Sequence, residues 1–311
     1  MAALFARIQK PGMTVAKANL MLLFAAFVWG SGFVGNRWLL ESGITPFQLI
    51  AARMFIASIC LNIFFRKQRK TISKGDLKIG VLIGAFLFAG FATQTYGLVY
   101  TTAAISAFVT AVYVIFTPFI RRMLIKDKLD KFANIGAFLT VAGIGLISLE
   151  GGFGMSAGIV LTLICALCYA LQAVYTDKYT KLHDPINLTI VMIAFNFICA
   201  FIASIFQGNM PQISFGAVVA LLYLGIVPTF IAYLCQNIGQ KYTTAVNAAI
   251  IMSTEAVFGA LLSVIILREV MTIQMILGMV TVFAAIIIAE TKLAFIIKPS
   301  KINSENYIKE D

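Results

Sequence analysis

The tetrapeptide Tyr100-Thr101-Thr102-Ala103 recurs as Tyr242-Thr243-Thr244-Ala245, and the same offset of 142 residues holds without a gap through the surrounding chain. It carries Gln94 onto Gln236, Gly97 onto Gly239, Phe116 onto Phe258, Gly136 onto Gly278 and Ile144 onto Ile286, and it sets Lys126-Asp127 on Arg268-Glu269 with the charge signs kept. Self-similarity at a fixed spacing marks an internal duplication. Each half must therefore build the same set of elements.

What each half builds follows from its apolar runs. The chain is 60% hydrophobic and 12% charged, with a mean hydropathy of +0.94, against roughly 25% charged residues in a soluble protein. A membrane-spanning helix needs about 20 apolar residues. Ten such runs fit, at 18–40, 45–65, 77–97, 102–124, 132–149, 157–177, 186–206, 214–237, 243–267 and 272–294. The pattern predicts an all-α integral membrane protein of ten transmembrane helices. A tail (1–17) is followed by a first repeat of five spans (18–150), a second (151–294) and a C-terminal tail (295–311). No cleavage site follows the first run, so it is expected to remain as a span.

Five is odd, so the second half enters the membrane from the side opposite to the first, and the repeats are inverted. Twenty-one Lys and Arg residues fall on one side, against Arg37 and Arg268 on the other and Arg53 inside a span. This asymmetry places both termini in the cytoplasm, and the membrane expected is the cell inner membrane. The net charge of +11 is spread between spans rather than gathered in a patch, which argues against a nucleic-acid partner. Cys165 and Cys168 have the spacing of a redox or metal pair but sit in an apolar run, and the single histidine, His183, lies in a loop. The two cysteines read as packing residues. No cofactor, metal or enzymatic chemistry is expected.

A lipid-facing surface has no reason to carry polar stripes, so helical spacing sorts the polar residues onto inward faces. Span 1 places Trp29, Phe33 and Asn36 together, and span 4 repeats Ser106, Thr110, Tyr113 and Thr117. Span 6 aligns Tyr169, Gln172 and Thr176, and span 8 aligns Tyr233, Gln236, Asn237 and Gln240. With Gln94 of span 3, these stripes predict a path between spans 1, 3, 4, 6, 8 and 9. Its lining is Trp29, Asn36, Gln94, Thr110, Tyr113, Tyr169, Gln172, Tyr233, Gln236 and Asn237. Packing is the rival account of each small polar residue, since interhelical hydrogen bonds contribute about 0.6 kcal/mol apiece. Gly80 and Gly84 read as a ridge for close helix packing, and span 7, with Asn196 alone in its interior, reads as peripheral.

Two ionisable residues stand inside spans, where such groups are functional candidates by default. By rise per residue, Arg53 lies roughly 12 Å and Glu255 roughly 18 Å from the outer ends of their helices, depths that would let them pair. Glu255 is the group best suited to carry a coupling proton or to recognise a cation, and the rival reading is a permanently neutral or paired acid that hydrogen-bonds a neighbouring helix. Arg53 either meets Glu255 or runs out to water.

These residues resemble the drug/metabolite transporter superfamily with two EamA-type repeats. The resemblance spans roughly residues 18–291 and is carried by Trp29-Gly30-Ser31 with Phe33, by Arg53, by Gln94 through Ala103, and by Glu255 followed by Arg268-Glu269 and Gly278. The chain departs from the family pattern at Ala256, where a proline is usual, and at Arg268-Glu269, which replaces a Gly-Glu pair; Tyr113 matches Glu255 in the first repeat. The resemblance implies a secondary transporter of small metabolites, in many members an exporter of amino acids or related zwitterionic compounds. No nucleotide-binding motif points to ATP. An intramembrane enzyme and a non-transporting scaffold are the alternatives. The first lacks a nucleophile–base pair, and the second would not need polar stripes in both repeats.

Overall fold

In lipid a backbone has no hydrogen-bond partner but itself, so apolar runs of this length close into helices. The computed structural model describes residues 13–126, 131–148, 152–208, 213–243 and 245–292. The tail expectations for 1–12 and 293–311, and Thr244 of the repeated motif, lie outside them. Among the described residues no strand occurs, and ten apolar helices follow one another. Eight are long enough to cross a membrane: α1 (Val15–Glu41), α2 (Pro46–Phe64), α3 (Lys74–Tyr100), α4 (Ala103–Leu124), α6 (Ala157–Tyr179), α7 (Pro185–Ile205), α8 (Phe215–Tyr242) and α9 (Ala248–Leu267). Two are shorter, α5 (Lys131–Ile147) and α10 (Ile273–Ala289).

Local chemistry sets many of the helix ends. Ser73 and Asp76 form a capping box for α3, while Thr102, Asp184, Ser214 and Thr272 accept from first-turn amides of α4, α7, α8 and α10. Each supplies an acceptor to amides that the helix leaves unpaired. Lys126 closes α4 and Arg268 closes α9 in the left-handed region, at φ 59° and 56°. These positions are 142 residues apart, so the duplication extends to the cap geometry.

The principal helix pairings recur when the halves are exchanged. α1 packs on α8 and α9, as α6 packs on α3 and α4; α2 meets α7, α4 meets α9, and α5 meets α10. Close approaches depend on glycine. A Cβ on Gly30 would stand 2.7 Å from the Phe258 Cβ and 2.8 Å from the Gly259 nitrogen, so α1 and α9 touch backbone to backbone beside Glu255. Gly143 and Gly278 do the same for α5 and α10. Gly80 and Gly84 receive Val191 and Met192 of α7, which places α7 against the ridge. The expectation that span 7 is peripheral needs correction. Its first half, from Pro185 to Ile193, is buried against α2 and α3, and Asn196 donates to the Gly84 carbonyl at 2.9 Å. Its apolar residues look lipid-facing in sequence because the helices that cover them are equally apolar.

Candidate functional site

Three of the spans are not continuous α-helices, and their irregularities surround one cavity. α4 is interrupted at Val112 and α9 at Thr254, positions again 142 apart, each with an amide turning back three residues. The residues just after the breaks are Tyr113 and Glu255. In α8, Pro228 has no N–H to return to the Leu224 carbonyl, and Thr229 Oγ1 donates to that carbonyl at 2.6 Å instead. The segment Ile226–Ile231 widens into a π-helix, and the Pro228 carbonyl is left free to accept the Trp29 indole N–H at 2.8 Å. Irregular backbone at membrane depth is tolerated where it lines a protein-enclosed space.

That space is lined by α1, α2, α3, α4, α6, α8 and α9. Of the residues expected on the path, Trp29, Asn36, Gln94, Thr110, Tyr113, Tyr169, Gln172, Tyr233 and Gln236 border it, together with Arg53 and Glu255. Asn237 does not. It turns to α7 and donates to Thr189 Oγ1 at 2.7 Å. The stripe on α8 is wide enough to be shared between the cavity and a neighbouring helix. The free volume is about 50 Å³, room for a few waters. Side chains must part before anything much larger enters.

Four aromatic rings make one wall. Trp29 and Tyr233 lie 5.2 Å apart between centroids, and Phe91 stands 6.2 Å from Tyr233 and 6.0 Å from Tyr169. The glutamines reach in from equivalent positions. Gln94 Nε2 donates to Thr110 at 3.1 Å and its oxygen accepts from Tyr169 at 3.4 Å; Gln236 Nε2 points at the Met252 sulfur, 3.8 Å away. Thr110 and Met252 are themselves repeat partners. Replacing Gln94 or Gln236 with Leu is expected to lower transport at least tenfold. Gln94→Leu should also cost about 1 kcal/mol of stability, because Thr110 and Tyr169 lose a partner. Gln236→Leu should fold as the parent does. Uptake assays and thermal unfolding check this; parental transport by both variants would assign the glutamines to packing.

Arg53 is 3% exposed. Its Nη1 donates to Asn36 Oδ1 at 2.9 Å, its Nε and Nη2 donate to Thr229 Oγ1 at 3.2 and 3.1 Å, and its guanidinium carbon lies 5.0 Å from the Phe91 ring centre. All these partners are neutral. A guanidinium has five N–H donors, so two remain for something in the cavity. Glu255 is 5% exposed and borders the same cavity with no hydrogen bond or ion pair from the described residues. The Arg53–Glu255 pair that their depths allow does not form. Arg53 is held instead by Asn36 of α1 and by Thr229 in the widened segment of α8, against which α2 packs. Tyr169 and Tyr233 lie within electrostatic reach of both charges. Sequence reasoning missed Thr229, Pro228 and Phe91. A proline inside an apolar run was the available signal for the first two.

The two ends of the cavity differ. Toward Arg37 and Arg268, the Glu269 carboxylate accepts from the amides of Ala103 and Ala104 at 2.7 and 3.1 Å, and Arg37 Nη1 donates to the carbonyls of Leu98 and Thr101 at 2.8 and 3.0 Å. These bonds tie Arg37 of α1 and Glu269, just past α9, to the α3–α4 corner. Toward the basic side, a smaller cleft shares Tyr113 with the cavity and runs past Thr117 and Gln240 to the Arg121–Asp177 ion pair at 3.2 Å.

The sequence profile of the EamA-like transporter family matches residues 16–149 and again residues 156–291. The chain belongs to the EamA-like transporter family. This EamA-like transporter is similar to a protein of Archaeoglobus fulgidus named an uncharacterized transporter, 33% identical over 276 residues that cover 89% of this chain and 86% of the other. The uncharacterized transporter YdfC of Bacillus subtilis is 26% identical, with 81% and 83% covered. A crystal structure superposes with a TM-score of 0.64 at 17% identity, over 89% of this chain and 97% of its own, a likeness of fold alone. The EamA-like transporter is thus a multi-pass membrane protein of a family that moves small molecules across the bilayer.

Proposed function

We propose that this EamA-like transporter is a secondary carrier of a small zwitterionic metabolite, an amino acid or related compound, working by alternating access as an exporter. One observation carries the reading: a buried guanidinium and a buried carboxylate border one cavity without pairing with each other. A buried charge without a counter-charge is costly, and a zwitterion meets both needs, its acid group on the free N–H groups of Arg53 and its ammonium on Glu255. The aromatic wall suits an apolar part of the solute. The bonds at the α3–α4 corner and the cleft beside Tyr113 fit entry from the basic side once the side chains between cleft and cavity part. Glu255 accepts either a proton or the ammonium group, so the two compete for one site and proton entry can drive export. The two repeats, 18–150 and 151–294, are the units that rock about this site. Export is the direction that the family resemblance implies.

The purified protein in liposomes, loaded with labelled amino acids and given a pH step, is expected to show saturable, pH-driven flux of some of them. Absence of flux for every zwitterion, with flux of purely anionic or uncharged solutes, would replace this reading.

The proposed membrane is the cell inner membrane with both termini in the cytoplasm. A reporter active only outside the cell is expected to respond when fused at Gly152 and to stay silent when fused after Lys67. Both fusions reporting the same side would end the inverted ten-span arrangement.

A further inference from the structure

The two repeats diverge on one lipid-side surface. α4, α5 and α6 leave a groove of about 390 Å³ bordered by Val112, Phe116 and Phe119 of α4, Ala137 and Val141 of α5, and Leu163 of α6. This volume lies within the range of about 300–1,000 Å³ typical of small-ligand sites, and Thr140 supplies the single hydroxyl among its lining residues. At the offset of 142, Ala137 corresponds to Met279 and Val141 to Phe283, and in the second repeat those larger side chains pack into the core. The first repeat carries smaller side chains at these two positions, and the groove is open there.

The mouth of the groove faces outward. Val141 is 72% exposed and its neighbour Phe138 is 76% exposed, both on a helix that the fold places against hydrocarbon. The groove begins at Phe119, within a turn of the basic end of α4. There Arg122 and Lys126 are exposed, and Lys131 is exposed where α5 begins. An apolar slot that is open to the bilayer and rimmed with cations at its interfacial end matches one kind of molecule.

We infer that this groove is a binding site for an anionic phospholipid of the leaflet on the basic side, with one acyl chain lying between α4 and α5 and its headgroup over Arg122 and Lys131. The chain would brace α4 from behind. The face of α4 that carries Thr110 and Tyr113 into the cavity lies on the other side of the same helix, next to the break at Val112. Retained lipid therefore stiffens one wall of the cavity without entering it.

Native mass spectrometry of the detergent-purified protein, titrated with phosphatidylglycerol or phosphatidylcholine, tests the assignment. The parent is expected to retain phosphatidylglycerol in preference, by roughly fivefold for each basic side chain under the headgroup. Arg122→Gln with Lys131→Gln should remove the preference and keep a weaker binding common to both lipids. Ala137→Met with Val141→Phe, which copies the second repeat, should remove retention of both. Should the filled variant not fold, Phe119→Trp gives an independent measurement. Its fluorescence, above the background of Trp29 and Trp38, is expected to be quenched more strongly by phosphatidylglycerol brominated on its acyl chains than by brominated phosphatidylcholine. Unchanged retention in the filled variant, equal retention of the two lipids by the parent, or equal quenching by both would overturn the assignment.

Discussion

Glu255→Gln is expected to abolish accumulation driven by a pH gradient while leaving exchange without a gradient at about tenfold higher half-saturation. Gln keeps the shape of Glu and can hydrogen-bond, but it neither takes up a proton nor carries charge. Loss of a hydrogen bond to a charged group corresponds to about 1.5–3 kcal/mol, or roughly 10- to 100-fold in affinity, so the solute's ammonium should be held less tightly. The fold should tolerate the change, because Glu255 has no partner among the described residues to leave stranded. Gradient-driven uptake and counterflow, measured on one preparation, separate the two effects. A Gln variant that still concentrates substrate with the parent's pH profile would make the carboxylate a packing group.

The second large effect is expected at Arg53. Arg53→Met should reduce transport at least a hundredfold and yet fold as well as the parent or better, because it removes a buried cation that only neutral groups satisfy. Arg53→Lys is the sharper test. An ammonium is a compact point charge without the planar fork that reaches Asn36 and Thr229 while leaving donors free. The Lys variant should therefore keep the charge but lose about tenfold or more in affinity for the acid group of the solute. If Lys transports as Arg does, the charge alone matters and the bonding pattern does not. If Met transports as Arg does, Arg53 is a structural group and the substrate's acid lies elsewhere.

Much of this protein was legible from its residues. The duplication at 142 residues and the odd number of spans per repeat constrained the architecture before any coordinate, because an all-apolar run in lipid has one way to satisfy its backbone. The faces that border the cavity were legible for the same reason. Tyr113, Gln94, Gln236, Tyr169 and Trp29 carry polar groups that recur in stripes with other polar residues, and helical spacing fixes the side of the helix on which each stands.

Spacing does not fix the neighbour. Asn237 and Gln236 are adjacent on α8, yet one bonds Thr189 of α7 and the other enters the cavity, a division made only when two helices claim opposite edges of the same stripe. The partners of Arg53 depend on a π-helical widening that follows from Pro228, and on α2 packing against that segment of α8. The backbone of α9 at Glu255 lies against α1 at Gly30, a closeness that only the missing Cβ of a glycine allows. Periodicity is a property of one helix, and these are properties of pairs and triples of helices. Their rotations and depths are set by side-chain volumes at the crossings, so tertiary packing alone decided that the two buried charges face a common space without meeting.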